Sequence, residues 1–292
     1  MNDTILPETE KIRAFVRARY GAIAEQAGED CGCAPTCCLA SEGLAKEAAE
    51  VRPPVAAAKT CCDGEGQCQT YGEKLGYSAA ELAAAPAGAD LGLGCGNPLA
   101  IASIQPGETV LDLGSGAGFD CFLAARQLGG TGRMIGVDMT AAMVSKARAN
   151  AHKGAYTNVE FRLGEIEALP VADASADLIM SNCVINLSPE KARVFQESFR
   201  VLKPGGRLAI ADVVATKPLP AELKKKLRAI GACVGGATLV TELRAMLAGA
   251  GFVRIEITPK ESSRAYIGQW TDDPTAGKFV VSALITAVKP SV

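Results

Sequence analysis

Residues 110–120 read VLDLGSGAGFD, and the way this run turns decides the fold. An aliphatic stretch flows directly into Gly114, Gly116 and Gly118 and then into residues that suit a helix. A chain that passes so tightly from strand to helix needs glycine, which also lets backbone N–H groups face a ligand at the helix start. Outward from this loop, short aliphatic runs alternate with helix-length segments: TVLDL (109–113), RMIGVD (133–138), VEFRL (159–163), ADLIMSN (176–182) and RLAIADVV (207–214). That alternation predicts an α/β protein with a Rossmann-like, mostly parallel sheet of about seven strands covered by helices on both faces. Late strands at VRIEIT (253–258) and KFVVSALITAV (278–288), joined by a long loop, predict an antiparallel edge.

Before this region the texture differs. Ile12, Phe15, Val16, Tyr20 and Ile23 recur at helical spacing behind Pro7, which predicts an amphipathic helix over about residues 7–25. Then come CGCAPTCC (31–38), VRPPVAAAKT (51–60) and CCDGEGQC (61–68), a cysteine-rich arm without clear period. The expected division is an N-terminal helix and arm over 1–75 and a ligand-binding α/β domain over 76–292.

Composition narrows the partners. The 292 residues are 48% hydrophobic, enough for a packed core, and 30 basic against 32 acidic residues leave a formal charge of −2. Nucleic acid and anionic membrane surfaces are therefore not expected partners. No apolar run is long enough to span a bilayer and the first residues do not read as a signal peptide, so a cytoplasmic location is expected. In that reducing setting the 11 cysteines read as free thiols.

The glycine loop is G-x-G-x-G, not the G-x-G-x-x-G of dinucleotide sites, and Asp112 stands two residues before its first glycine. An acid there repels phosphate and suits a ligand carrying an ammonium or sulfonium group, such as S-adenosylmethionine. Asp112, Gly114, Ser115, Gly116 and Gly118 form the expected cofactor loop. Asp138, ending the second strand, suits ribose hydroxyls, and Met139 suits adenine. Glu165 and Ile166, in GEIEALP (164–170), offer an acceptor and an apolar wall to the base. A nicotinamide cofactor would also want an acid after the second strand, so the loop spacing is what separates the two. Asn182, beside Cys183 in SNCVINLSP (181–189), reads either as a cofactor contact or as a turn residue.

DLGSGAG, GVDM, GEIEALP and VLKPGG together resemble the class I S-adenosylmethionine-dependent methyltransferases over roughly residues 95–290. More narrowly, LGLGCGNP, SNCVINLSP and the cysteine of GACVGGA resemble arsenite methyltransferases. The resemblance implies that Cys95, Cys183 and Cys233 hold arsenic(III), around segments 215–250 and 259–278, and that methyl transfer releases S-adenosylhomocysteine. Soft thiolates match a soft metalloid. Its lone pair needs no general base, consistent with a chain whose one histidine, His152, lies in a polar helix tail. Cys61 and Cys62 are the expected electron donors once arsenic has been methylated, with thioredoxin or glutathione restoring the thiols. Cys31, Cys33, Cys37 and Cys38 fit an auxiliary metalloid or redox role or a dispensable tail. Trp270 fits a cover over the site or core packing, and Cys121 fits packing. Two other readings stay open from the residues: a methyltransferase for a small organic, quinone-like acceptor, and a non-catalytic thiol-based metalloid binder.

Overall fold

The computed structural model describes residues 8–26, 71–271, 273 and 275–291. The cysteines from Cys31 to Cys68 lie outside the described residues. The first described element is α1 (Glu8–Gln26). The sheet is built from β1 (Thr109–Leu113), β2 (Arg133–Asp138), β3 (Val159–Leu163), β4 (Ala176–Asn182), β5 (Leu202–Ala215), a two-residue β6 (Thr238–Leu239), β7 (Val253–Lys260) and β8 (Val280–Val288). Their order is β3-β2-β1-β4-β5-β8-β7, with β6 paired to β5. β1 to β5 run parallel. β8 runs antiparallel against both β5 and β7, which gives the expected antiparallel addition at that edge.

The central strands are aliphatic throughout because both faces are covered. One face packs Leu111, Ile179 and Ile210 against Phe195, Val201 and Phe252; the other packs Val110, Met134 and Leu178 against Phe122, Leu123 and Leu128. Phe122 and Phe195 are fully buried, each a contribution of roughly 1.5–3 kcal/mol. The helices follow from the same logic. α2 (Phe119–Gln127) buries nearly its whole length, and α3 (Ala141–Lys153) buries Met143, Val144 and Ala147. α4 (Lys191–Val201) places Val194, Phe195, Ser198 and Val201 on one stripe toward the sheet.

A third apolar cluster lies beyond the carboxyl ends of the strands and contains Cys95, Cys183 and Cys233 together with Val16, Leu187 and Val234. Its place is dictated by topology. β1 and β4 are sequence-distant neighbours whose connections leave to opposite sides, and the crevice at such a switch point is where α/β sheets bind ligands. The glycine loop follows β1 and Cys183 follows β4, so both flank that crevice.

Candidate functional site

The glycine loop is stitched to the end of β2. Gly114 and Ser115 donate their N–H groups to Val137 O at 2.7 and 3.0 Å, and Gly116 donates to Asp138 Oδ2 at 3.0 Å. Gly116 has φ +51°, and a Cβ there would meet nothing within 4 Å, so this peptide faces open space. The Ser115 hydroxyl is buried with no hydrogen-bond partner among the described residues. Asp138 also accepts from Thr140 N–H at 2.8 Å. Burial nonetheless pushes its carboxyl above the usual range, because those bonds only partly offset desolvation.

Beneath the loop sit two further acids. Cys121 donates its thiol to Asp112 Oδ2 at 3.2 Å, so this cysteine packs and also bonds. Asp120 accepts from Tyr77 Oη at 2.6 Å and from Asn182 Nδ2 at 3.1 Å. Desolvation pushes Asp120 up to about 6 and Asp112 well above the carboxylate range, the latter also through the charge of Asp120. Neither acid has a cationic partner among the described residues. A site with this much acid lacking a cationic partner, and a buried hydroxyl left unbonded among the described residues, fits a cationic ligand. Tyr77 is held for its role by local structure: its N–H bonds Gly72 O at 3.1 Å, and the next residue, Ser78, forms a capping box with Glu81.

The thiols converge from three distant segments. Asn182 Oδ1 accepts from Cys95 N–H at 3.1 Å and its Nδ2 donates to Gly96 O at 2.9 Å. From the other side, Cys95 O accepts from Tyr266 Oη at 3.2 Å and from Ser282 Oγ at 2.7 Å. Gly96 permits this approach, since a Cβ there would lie 2.9 Å from Ala211 Cβ. Cys183 N–H bonds Ala211 O at 2.8 Å, extending the β4–β5 ladder. Cys233 donates its thiol to Cys183 O at 2.9 Å. Cys183 and Cys233 take left-handed conformations, φ +59° and +61°, which cost a residue with a Cβ roughly 1–2 kcal/mol each. The sulfurs of Cys95 and Cys183 and a carboxylate oxygen of Asp212 all lie within 4.8 Å of one another. Burial raises the Cys95 thiol, and Cys183 is raised by bonding to the neighbouring thiols, Cys233 foremost, and by burial. Asp212, buried at the end of β5, is pushed up to about 6 by desolvation. The thiols of Cys95 and Cys183 are soft ligands that this environment favours in the protonated form.

α1 roofs this cluster. Val16 is 1% exposed, and Ile12 and Tyr20 pack beside it against the thiols, while Tyr266 and Trp270 pack on the same cluster. Tyr20 Oη donates to Gly231 O at 3.2 Å, two residues before Cys233.

A family profile described as a methyltransferase domain matches residues 104–251. A protein of Halobacterium salinarum named arsenite methyltransferase is 49% identical over 99% of this chain and 70% of its own length. The chain belongs to the arsenite methyltransferase family. The human arsenite methyltransferase is 41% identical over 49% of this chain and 40% of its own. In structure, an arsenic(III) S-adenosylmethionine methyltransferase of Chlamydomonas reinhardtii superposes with a TM-score of 0.57 at 30% identity, over 75% of this chain and 73% of that one. A phosphoethanolamine N-methyltransferase of Haemonchus contortus, at TM-score 0.56 and 21% identity over 66% of this chain and 52% of that one, shares the fold.

Set against the family expectations, the structure brings Cys95, Cys183 and Cys233 into one cluster and places Gly114, Ser115, Gly116, Gly118 and Asp138 around one loop. The base-binding candidates have the following partners in the structure. Glu165 forms ion pairs with Arg17 and Arg13 of α1. Ile166 is buried in the core beneath the sheet face. Met139 packs against the thiol cluster. Asn182 ties the Cys95 loop to Asp120. His152 is exposed, as expected. Cys61 and Cys62 lie outside the described residues. Tyr77, Asp120 and Asp212 belong to the site without having been singled out; of these only Asp120, the acid opening the helix of the glycine loop, had a local signal.

Proposed function

We propose that this protein transfers the methyl group of S-adenosylmethionine to arsenic(III) held by the thiolates of Cys95, Cys183 and Cys233, giving methylated arsenic and S-adenosylhomocysteine. The observation that carries this reading is the convergence of three thiols, two with sulfurs within 4.8 Å of each other and the third bonded to the backbone carbonyl of Cys183, beside a loop suited to a cationic ligand. The cofactor supplies an electrophilic methyl on a sulfonium. Asp138 would hold it through its ribose, and the peptides of Gly114, Ser115 and Gly116 would line it. Asp112 and Asp120 would offset its positive charge.

The chain's own task is orientation. Thiols fixed just after β4, on the Asn182-anchored loop and beside α1 hold the metalloid's lone pair in one direction, and such positioning is worth up to about 7–11 kcal/mol. The segments 215–250 and 259–278 form the arsenic-binding walls in this reading, contributing Cys233 from one and Tyr266 and Trp270 from the other. Methylated arsenic stands two electrons higher in oxidation, so a pair of thiols must become a disulfide to return it to the trivalent state. Cys61 and Cys62 are proposed for that step, one of them bridging to a site thiol because adjacent cysteines pair poorly with each other, with thioredoxin or glutathione as the external reductant in the cytoplasm. No helix among the described residues is long and apolar enough to cross a membrane. The test is direct: protein, arsenite, methyl-labelled cofactor and a thiol are incubated together, and labelled methylarsenic is the expected product. Binding of both ligands with no labelled arsenic would refute the reading.

A further inference from the structure

Buried acids stand on two sides of the proposed reaction centre. Asp112 and Asp120 belong to β1 and to α2, on either side of the glycine loop. Asp212 comes from β5, and one of its carboxylate oxygens lies within 4.8 Å of the sulfurs of both Cys95 and Cys183. Asn182 and Ser282 also reach the Cys95 sulfur, but both are neutral. Asp212 is 3% exposed and held by N–H donors: Val213 N–H at 2.7 Å, Asn186 Nδ2 at 2.8 Å, Asn186 N–H at 3.3 Å and the Ile185 N–H. Donors on both oxygens fix the group as an acceptor, which is its anionic form. Lys191, whose charge also acts on Asp212, gives its ammonium to Ser188 O at 3.0 Å. A fixed negative charge therefore adjoins two of the three proposed arsenic ligands, with its acceptor positions already filled by the protein.

We propose that Asp212 acts through its charge, offsetting the positive charge that arrives on arsenic as the methyl group is transferred. This rests on the arsenic reading above. Arsenic(III) bound by three thiolates is neutral overall. Its lone pair forms the As–C bond while the C–S bond of the sulfonium breaks, and the electron pair of that bond stays on sulfur. Arsenic rises from the trivalent to the pentavalent level and no proton leaves. One unit of positive charge thus passes from the cofactor sulfur to the arsenic centre, next to the thiol sulfurs that Asp212 adjoins. An interaction that strengthens only as this charge moves lowers the barrier without tightening the ground state, and a buried group already in place needs no reorganisation to supply it. No free acceptor position is required, because the interaction is between charges across space.

The full chain is compared with Asp212→Asn, which removes the charge and keeps the shape, and three quantities are measured at one pH. Arsenite is titrated against the fluorescence of Trp270, the single tryptophan, which packs on the thiol cluster. Lead(II), a soft lone-pair cation that also takes three thiolates in a pyramid, is titrated by its sulfur-to-lead absorption. Methyl transfer to arsenite is followed in a single turnover. The three-thiolate complex of lead(II) carries one negative charge where that of arsenic(III) carries none, so lead reads the field of Asp212 without any chemistry. Expected in Asp212→Asn are lead(II) affinity tightened about tenfold, arsenite affinity changed by less than roughly twofold, and transfer slowed about a hundredfold. Lead affinity that stays the same, or that falls in step with arsenite affinity, would show that no field from Asp212 acts at the sulfurs and would overturn the proposal, as would transfer at the original rate. Where Asp212→Asn loses arsenite affinity, Asp212→Thr, another uncharged residue suited to a strand, takes its place; loss of arsenite binding in both assigns Asp212 to holding the turn at Asn186 and overturns the proposal as well. If the unaltered protein binds no arsenite, the arsenic reading itself has failed.

Discussion

Asn182 and Cys95, 87 residues apart, are joined by a hydrogen bond from the Cys95 N–H to Asn182 Oδ1. The same amide reaches Asp120 and Tyr77, so one side chain links Asp120, in the helix that follows the glycine loop, to the position of a thiol. Asn182→Ala should leave the Asp120 carboxylate and the Gly96 carbonyl short of a donor, at about 1–3 kcal/mol for each buried group. The expected outcome is a lower melting temperature together with weaker arsenite binding, measured by thermal unfolding and by Trp270 fluorescence. Unchanged arsenite affinity would show that the Cys95 loop holds its place without Asn182.

Cys183→Ser removes the soft donor and keeps the size and backbone. Arsenite methylation should fall by about a hundredfold, the scale expected when a reacting atom loses its position, while cofactor affinity measured by calorimetry stays the same. A variant that methylates at the original rate would remove Cys183 from the ligand set.

The left-handed backbone at Cys183 and Cys233 makes a stability prediction of unusual sign. Elsewhere in a strand end or helix, glycine is the more destabilising replacement. Here Cys183→Gly should be more stable than Cys183→Ala by roughly 1 kcal/mol, because only alanine keeps the steric cost at φ +59°. Denaturant unfolding of the two variants decides it.

Asp120 should imprint on the pH dependence of stability. Its carboxyl is pushed up to about 6 in the folded protein, above its value in the unfolded chain. Between about pH 4 and 6 the folded state therefore binds more protons, and the contribution of Asp120 to stability is fully present at low pH and lost as pH rises through 6. The unaltered protein should lose stability relative to Asp120→Asn across that window, by up to ~3 kcal/mol. Unfolding curves that stay parallel from pH 4 to 7 would remove Asp120 as the cause.

The ion pairs of α1 should govern how firmly the roof is seated. Arg13 reaches Glu190, Glu167 and Glu165, and Arg17 reaches Glu165. Partly exposed pairs contribute at most about 1 kcal/mol each and are screened by salt. Arg13→Gln with Arg17→Gln should speed alkylation of Cys183 by iodoacetamide severalfold, and high salt should have the same effect on the unaltered protein. An alkylation rate indifferent to both would mean that the pairs do not hold the helix down.

The glycine loop and the alternating strands were legible because their signals are local: TVLDL, RMIGVD and ADLIMSN each carry their own β pattern, and the G-x-G-x-G turn carries its own geometry. Cys95, Cys183 and Cys233 were legible as a set only through family resemblance, since nothing near any of them in the chain announces the other two. Tyr77 and Asp212 carried no such signal, because their significance comes entirely from partners across the fold. Glu165 has partners that no local signal announces: Arg13 and Arg17 come from a helix about 150 residues earlier, whose amphipathic pattern states that it docks but not where.

The placement of α1 has a kinetic consequence. With Cys95, Cys183 and Cys233 only 0, 9 and 3% exposed, the proposed metalloid could reach the sulfurs only once the side chains packed over them from α1 and from the Tyr266–Trp270 segment give way. If the α1 part of that cover opens during turnover, its ion pairs to Glu165 break at the same time, and added viscogen would slow the steady state.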